Sequence, residues 1–288
     1  MVSSRLRLHL LALFLGAAPA LSMASTADST TRAAPVWPQR PVRIIVGFPG
    51  GSSPDLTARA LAEPLSKALG QPVIVENKVG ASGNLAADAV AKATDGHTLG
   101  LVINGNLTTA QWLHPKLPYH PQRDLLAISL VGTSPLVLTT LASATPGTSA
   151  EWLAAARQAG DRWNYGTPGV GTVGHLGTEL LKRHTGLGAV HVPYPGYPQV
   201  VTAMLGGDLQ LALLPPALAL SHVRNGKLRA IGVTASVRSS LAPDVPSLAE
   251  LGIKGLNLEI WNAVVAPARM PQTVASRLSG LLSEIART

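Results

Sequence analysis

The chain has 288 residues and a formal net charge of +8, and 46% of its residues are hydrophobic while only 4% are aromatic. It contains no cysteine, which excludes disulfides, thiolate metal sites and a cysteine nucleophile. The positive charge is spread out, without three consecutive Lys or Arg residues or a basic stripe interleaved with aromatics. We therefore expect no nucleic-acid partner, and at most attraction of an acidic small molecule.

The first 24 residues have the pattern of a secretory signal peptide. A basic start is followed by an apolar stretch, Leu10 to Leu21, and then by small residues, so we expect cleavage after Ala24, with Ala20 as the alternative. The apolar stretch is too short for a permanent membrane span. Residues 25–37 are rich in Ser, Thr and Ala and are predicted to form a disordered linker. The sequence thus predicts an exported protein.

Short strands alternate with Ala- and Leu-rich helices through the first half of the chain. Because short β-branched segments are typical of buried strands, we predict strands at 42–48, 72–77, 98–103 and 125–131. Helices are predicted between them at 56–69 and 84–93. Pro64 removes one backbone donor inside the first helix, so we expect either a kink or a later helix start.

A second series with the same layout begins near residue 137. It comprises predicted strands at 163–167, 189–194, 209–214 and 229–235, and helices at 150–159, 175–185 and 197–205. The third of these helices ends at Gly206-Gly207, and a last helix is predicted at 272–286. Alternation of this kind predicts an α/β fold with two lobes, each built on a mostly parallel sheet.

Several loops that follow the predicted strands could form an anion-binding cleft. In parallel α/β sheets, the loops at the carboxyl ends of the strands line the ligand crevice. Most of these loops expose backbone N–H groups near the start of a helix, which suits an anion. The loops concerned are 48–55, 79–84, 103–109, 167–175 and 193–199.

Gly169, Gly171 and Gly174 have the spacing G-x-G-x-x-G of a dinucleotide-binding loop. Such a loop also needs an acidic residue at the end of the next strand, to hold the ribose hydroxyls. No Asp or Glu occurs between Glu179 and Asp208. We therefore expect the same glycine turn to hold a different anion, and we predict no cofactor.

The sequence offers no catalytic or metal-binding constellation. It has no G-x-S-x-G nucleophile elbow and no H-E-x-x-H motif. His175 and Glu179 lie one helical turn apart, but two ligands do not make a metal site. We therefore predict a binding protein and not an enzyme, with an exported hydrolase as the remote alternative.

The loop segments resemble one known family when taken together and in order. These segments include "RIIVGFPGGSSPDLTARALAEPL", "NYGTPGVGTVGHLGTEL", "HVPYPGYPQVVTAMLGGDLQLAL" and "WNAVVAPARMP". They resemble the periplasmic solute-binding proteins of tripartite tricarboxylate transporters, often called Bug proteins, over about residues 37–285. The resemblance implies a two-lobed type II periplasmic-binding-protein fold that closes like a Venus flytrap on a small carboxylate and delivers it to a membrane permease. The alternative is a periplasmic sensor that presents the carboxylate to a signalling receptor; a monomer is expected in either case.

The resemblance also implies lobe boundaries and ligand contacts. The first lobe would comprise residues 38–135 and 236–288, the second 136–235, with hinge strands near 130–140 and 230–262. Ligand-binding residues in the first lobe would be Phe48, Gly51, Ser52, Ser53, Asp55 and Asn104. Those in the second would be Thr167, Gly169, Gly171, Thr172, His175, Tyr194, Gly196 and Tyr197.

Two departures from the family pattern carry expectations of their own. Leu214 stands where relatives have an acidic residue near the cleft, so we expect a ligand without an amine. Relatives also continue beyond the position of Thr288, so we expect the first lobe to lack its last elements.

Overall fold

The strands of the first series form a mostly parallel sheet that also contains one antiparallel strand. The computed structural model describes residues 37–144 and 147–287, and its five-stranded sheet has the order β2-β1-β3-β10-β4. These strands are β1 (Val42–Val46), β2 (Val73–Asn77), β3 (Thr98–Ile103), β4 (Leu125–Pro135) and β10 (Glu259–Pro267). Strand β10 runs antiparallel to both of its neighbours and was not among the predicted strands.

The second series forms the other sheet in a similar way. Its strands are β5 (Val137–Leu141), β6 (Asn164–Thr167), β7 (Val190–Pro193), β8 (Ala212–Leu214) and β9 (Leu228–Val233). Strand β5 lies between β8 and β9 and runs antiparallel to both, whereas β6 pairs with β7 in parallel. A parallel bridge from Tyr165 to Leu211 joins the two groups of strands. The predicted α/β fold with two mostly parallel sheets is confirmed.

The long helices lie close to their predicted positions, and the short ones were missed. The helices are α1 (Ser53–Leu69), α2 (Asn84–Lys92), α3 (Asn104–Leu107), α4 (Ala110–Leu113), α5 (Pro121–Asp124), α6 (Ser149–Ala159), α7 (Val173–Thr185), α8 (Tyr197–Gly206), α9 (Pro216–Arg224) and α10 (Gln272–Ile285). Helix α1 starts earlier than predicted and continues through Pro64, so a helix start after Pro64 is wrong. Helix α9 was also missed, although proline is favoured in the first turn, where no intrahelical donor is needed.

Each sheet has its own hydrophobic core. The second sheet buries Trp152, Tyr165 and Met204 between its strands and helices. The first sheet buries Ile44 and Leu99 against α1 and α10. Helix α10 therefore packs beside α1 on the first sheet, although it follows the strands of the second sheet in the chain.

The chain passes between the two sheets twice, and Thr234 joins the two crossings. The first crossing is Leu136, between β4 and β5, and the second is the segment that leads from β9 to β10. The Thr234 hydroxyl accepts a hydrogen bond from the Leu136 N–H (2.9 Å) and donates one to the Leu258 carbonyl (2.7 Å). The Thr234 backbone also pairs with both residues. Both crossings lie in the ranges expected for hinges, while the lobe boundaries stay predictions.

Some predictions fall outside the described residues. The signal peptide at 1–24 and residues 25–36 of the linker belong to this part of the chain. Within 37–144 and 147–287, no helix is long and apolar enough to cross a membrane. The same ranges contain no group of three or more His, Asp or Glu side chains that could hold a metal ion.

Candidate functional site

The two sheets face each other across a narrow cleft. It encloses a cavity of about 30 Å³, the space of one or two water molecules. Loops and helix starts that follow strands of both sheets contribute to its wall, together with strand β10. They are Phe48, Ser52, Ser53, Pro54, Ile103, Asn104, Pro168, Thr172, Val173, Tyr197, Ile260 and Asn262.

The start of helix α1 forms one side of the cavity. Ser52 is the N-cap residue, and its backbone is extended, as is usual at this position. Its side chain nevertheless makes no capping hydrogen bond, and the buried hydroxyl has no hydrogen-bond partner among the residues that the structure describes. The N–H groups in the first turn of a helix have no intrahelical acceptor, and the positive end of the helix dipole lies there. This end of α1 therefore offers unpaired donors to an anion.

The start of helix α7 forms the opposite side. Thr172 is its N-cap residue and has the same backbone angles as Ser52, φ −72° and ψ 159°. The Thr172 hydroxyl accepts a hydrogen bond from the His175 N–H (3.4 Å) and donates one to the Gly169 carbonyl (2.8 Å). Positive φ angles at Gly169 and Gly171 permit this tight turn. Two helix starts thus border the same cavity from different sheets.

Two asparagines in the wall hold strands together. The Asn104 amide donates to the Glu259 carbonyl (3.1 Å) and accepts from the Trp261 N–H (3.0 Å), which joins the end of β3 to β10. The Asn262 amide donates to the Thr57 hydroxyl (3.3 Å), which joins β10 to α1. These contacts fix the shape of the wall.

Tyr197 supplies a hydroxyl at the start of α8. Burial raises its pKa, so the hydroxyl remains protonated at neutral pH and can act as a donor. The ring fits here because residue 174 is a glycine: a Cβ atom at Gly174 would lie 2.6 Å from the Tyr197 hydroxyl oxygen. The third glycine of the G-x-G-x-x-G pattern therefore makes room for a side chain of the cleft.

Six of the fourteen residues expected to bind ligand line the cavity. They are Phe48, Ser52, Ser53, Asn104, Thr172 and Tyr197. The apolar part of the wall and Asn262 were not predicted; these residues are Pro54, Ile103, Pro168, Val173, Ile260 and Asn262. Pro54, Ile103, Pro168 and Val173 belong to loops that were expected to line the cleft, but their side chains form no hydrogen bonds and therefore gave no signal of binding. Ile260 and Asn262 lie on the strand that was not predicted.

Asp55 and Gly51, also expected to bind ligand, instead stabilise the loop before α1. The Asp55 carboxylate accepts hydrogen bonds from the Gly51 N–H (2.9 Å), the Asn77 amide (2.8 Å) and the Arg59 guanidinium (3.1 Å). Burial opposes ionisation of Asp55, but these hydrogen bonds outweigh it and lower its pKa. The 48–55 loop is thereby tied to the end of β2, which presents Ser52 to the cavity.

Three other predicted residues lie where the two lobes touch. The Gly171 carbonyl accepts a hydrogen bond from the Thr109 hydroxyl across the cleft (2.9 Å). Gly169 packs against Ser82, and Gly196 packs against Pro49. A Cβ atom at Gly169 would lie only 2.3 Å from the Ser82 hydroxyl oxygen. These glycines allow the close approach of backbone from opposite lobes. Tyr194 lies beside this contact, in a groove that it shares with Gly169.

Thr167 and His175 belong to a polar cluster behind the α7 turn. The His175 ring accepts a hydrogen bond from the Gly171 N–H (3.2 Å) and lies 4.3 Å from the His191 ring, centroid to centroid. His191 also bonds to the Thr167 hydroxyl (2.7 Å). Burial and the neighbouring His175 lower the pKa of His191 to about 4.

The opposite side of this cluster is closed by three further groups. The Tyr165 ring stacks on His191, and the Tyr165 hydroxyl donates to Glu179 (2.5 Å). Lys182 also bonds to Glu179 (2.8 Å). Burial lowers the pKa of both histidines, so their rings are neutral at neutral pH. They support the turn that carries Gly169 and Gly171.

Comparison with known proteins identifies relatives over nearly the whole described chain. The family model described as "Tripartite tricarboxylate transporter family receptor" matches residues 57–287. The protein BugT of Bordetella pertussis is 38% identical over 241 residues, which cover 82% of this chain and 74% of BugT.

Two solved structures are similar in both sequence and fold. MatC of Rhodopseudomonas palustris with bound malate has a TM-score of 0.81 and 31% identity, covering 86% of this chain and 85% of MatC. The R. palustris protein Rpa4515 with adipate has a TM-score of 0.83 and 30% identity, covering 86% of this chain and 83% of Rpa4515. These relatives are solute-binding proteins and not enzymes.

Proposed function

This chain belongs to the tripartite tricarboxylate transporter receptor family, and we propose that it captures a small carboxylate in the cleft between its two lobes and delivers it to the membrane subunits of a tripartite transporter. The carboxylate would be a dicarboxylate, a tricarboxylate or an aromatic acid. Malate and adipate, in the solved structures of MatC and Rpa4515, are acids of this class.

The buried Ser52 hydroxyl is the observation that carries this proposal. A hydroxyl buried without a partner destabilises the folded protein unless a ligand or water forms a hydrogen bond with it. Ser52 stands at the N-cap position of a helix of 17 residues, and the free N–H groups at such a helix start are suited to an anion, although Pro54 contributes none. A carboxylate oxygen can accept hydrogen bonds from all of these donors at once. The start of α7 offers a second set to the other end of the ligand.

The chemistry of the wall supports binding without turnover. Among the described residues that line the cavity, Tyr197 has the most acidic side chain, and burial raises its pKa. A general base with a pKa near 7 and a nucleophile beside it are the usual requirements for hydrolysis. The described wall has hydroxyls but no such base to activate them, whereas neutral donors and helix dipoles are suited to reversible capture of an anion.

We propose further that the protein works in the periplasm as a monomer, after removal of the signal peptide at 1–24. The basic and apolar pattern of that segment supports export. Closure would rotate the lobes about the crossings joined by Thr234 and pair donors from both lobes around the anion. Delivery to the permease would follow from recognition of the closed form.

Calorimetric titration of the exported, purified protein tests carboxylate capture. The panel comprises acetate, succinate, adipate, citrate and phenylacetate, with the corresponding primary amides as uncharged controls. We expect at least one acid to bind saturably and to raise the melting temperature by several degrees, with no effect of its amide. A cooperative melt that none of the acids shifts would contradict the proposal. Delivery is tested by uptake of the labelled acid into cells with and without this protein.

A further inference from the structure

We propose that the cleft selects carboxylates with an apolar, uncharged body, so that an acid binds more tightly than the α-amino acid of the same length. This inference rests on the proposed function, and it specifies the class of ligand that the same cavity takes. It starts from the composition of the wall: among the described residues that line the cavity, none is Asp, Glu, Lys, Arg or His.

The middle of the cavity has apolar walls from both lobes. Phe48, Ile103 and Ile260 come from the first lobe, and Pro168 and Val173 come from the second. Their side chains neither donate nor accept hydrogen bonds. A methylene or aromatic group of the ligand fits such a wall, whereas a polar group would lose its water without replacement.

An α-ammonium group would find no counter-charge in this wall. Asp55 directly follows Pro54 of the wall, but its carboxylate is already bound to Gly51, Asn77 and Arg59. Glu259 precedes Ile260 of the wall and is exposed to solvent. Burying an ammonium group beside neutral, mostly apolar side chains is strongly unfavourable, because its hydration is lost and no ion pair replaces it.

A ligand hydroxyl is disfavoured less than an ammonium group. The Asn104 oxygen already accepts the Trp261 N–H. The Asn262 amide donates to Thr57, and within 37–144 and 147–287 no group donates to its side-chain oxygen, which can therefore accept a hydrogen bond from the ligand. We therefore expect hydroxy acids to bind with an affinity between those of the parent acid and the amino acid.

Matched pairs of ligands test this preference on the wild-type protein. The dissociation constants of succinate and aspartate, glutarate and glutamate, and adipate and 2-aminoadipate are measured by calorimetry at pH 7.5, with 2-hydroxyglutarate and citrate as hydroxylated probes. We expect each parent acid that binds to do so at least tenfold more tightly than its amino derivative. An amino acid that binds as tightly as its parent acid would overturn this inference and leave carboxylate capture intact. Binding of citrate alone would do the same. Absence of binding by every acid would overturn both.

A counter-charge placed in the wall tests whether its neutrality sets the preference. The variant Ile260→Asp adds a carboxylate, and Ile260→Asn is its matched neutral control. We expect Ile260→Asp to lower the ratio of the dissociation constants of the amino acid and its parent acid from at least ten to about one, while Ile260→Asn keeps the wild-type ratio. An unchanged ratio in a folded Ile260→Asp protein would contradict the role of this wall. If Ile260→Asp does not fold, the wild-type ratios still decide the proposal.

Discussion

Ser52 and Thr148 show how the same kind of residue serves two different purposes at a helix start. Thr148 caps α6 by accepting the Glu151 N–H, while Glu151 bonds back to the Thr148 N–H and hydroxyl. This capping box completes the helix start and contributes to stability. Ser52 stands at the equivalent position of α1, but its hydroxyl is buried and unpaired. The Ser52 hydroxyl therefore does not stabilise the helix by capping it, and it can instead donate a hydrogen bond to the ligand.

The Ser52→Ala variant should lose affinity without losing stability. Its free energy of unfolding should stay the same or rise, because an unpaired buried hydroxyl is removed. Carboxylate affinity should fall about fivefold to 20-fold, the equivalent of one charge-assisted hydrogen bond of about 1–2 kcal/mol. Thr148→Ala is the control: we expect about 1 kcal/mol lower stability and unchanged affinity. Urea unfolding and calorimetry measure both quantities, and a Ser52→Ala protein with wild-type affinity would contradict the role of this hydroxyl.

His191 gives the protein an acid-sensitive residue. Its pKa is about 4 in the folded protein, below its ordinary value of 6.5, because of burial and of His175 nearby. The unfolded chain therefore binds a proton first as the pH falls. The stability from the neutral ring is fully present above pH 6.5 and is lost progressively toward pH 4. His175, whose pKa is also lowered, acts in the same direction.

Melting temperatures at pH 7.5 and pH 5 measure this effect. We expect the wild-type protein to lose several degrees between the two, and the His191→Gln variant to lose less. His114 lies outside the cluster, so His114→Gln should show the wild-type difference. An equal loss in all three proteins would show that other groups control acid sensitivity.

At the scale of elements, the crossings between the sheets depend on one hydroxyl. Thr234 bonds through its side chain and backbone to Leu136 of one crossing and to Leu258 of the other. It is fully buried, so water cannot replace these hydrogen bonds. The two crossings are thereby held together at one point.

The Thr234→Val variant keeps the shape of the side chain but removes the hydroxyl. We expect it to lower the free energy of unfolding by about 2–4 kcal/mol, because the Leu136 N–H and the Leu258 carbonyl each lose a partner. Thr234→Ser retains the hydroxyl and should lose less than half of that amount. Urea unfolding distinguishes the two, and equal losses would assign the effect to packing of the methyl group instead.

At the scale of the whole molecule, the fit between the lobes depends on residues that have no side chain to clash. Gly169 approaches Ser82, and Gly171 approaches Thr109 of the first lobe. The α7 turn therefore has two tasks: it presents a helix start to the cavity, and it permits the lobes to meet. The same glycines that resemble a dinucleotide-binding loop serve contact between lobes.

The Gly169→Ala variant should prevent this contact. Its Cβ atom would lie 2.3 Å from the Ser82 hydroxyl oxygen and 3.4 Å from the Ser82 Cα atom, and alanine is strained at a φ of +122°, so the turn or Ser82 has to shift. We expect at least tenfold weaker carboxylate binding, and little ligand-induced compaction in X-ray scattering. Gly207→Ala is the matched control, since Gly207 also has a positive φ but open space at its Cβ position. It should lose about 1 kcal/mol of stability and keep its affinity, whereas unchanged affinity in Gly169→Ala would contradict closure at this turn.

The sequence by itself determined the two series of strands and helices, the mostly parallel sheets and several loops of the cleft. These features depend on local properties: the spacing of apolar residues, the helix stop at Gly206-Gly207 and the glycines of the α7 turn. Strands β5 and β10 were not predicted as sheet strands, since each crosses from one sheet and inserts antiparallel into the other. Their partner strands are distant in sequence, and a local sequence pattern does not predict which strands will pair.

Only the tertiary structure decided which side chains face the cavity. Asp55 and Ser52 belong to the same loop, yet one stabilises the loop and the other lines the cavity. Ile260 reaches the wall because β10 inserts between β3 and β4. A residue type reveals which bonds a side chain can make, but its neighbours in the fold decide whether those bonds are already made. The unpaired Ser52 hydroxyl and the uncharged wall are properties of that arrangement.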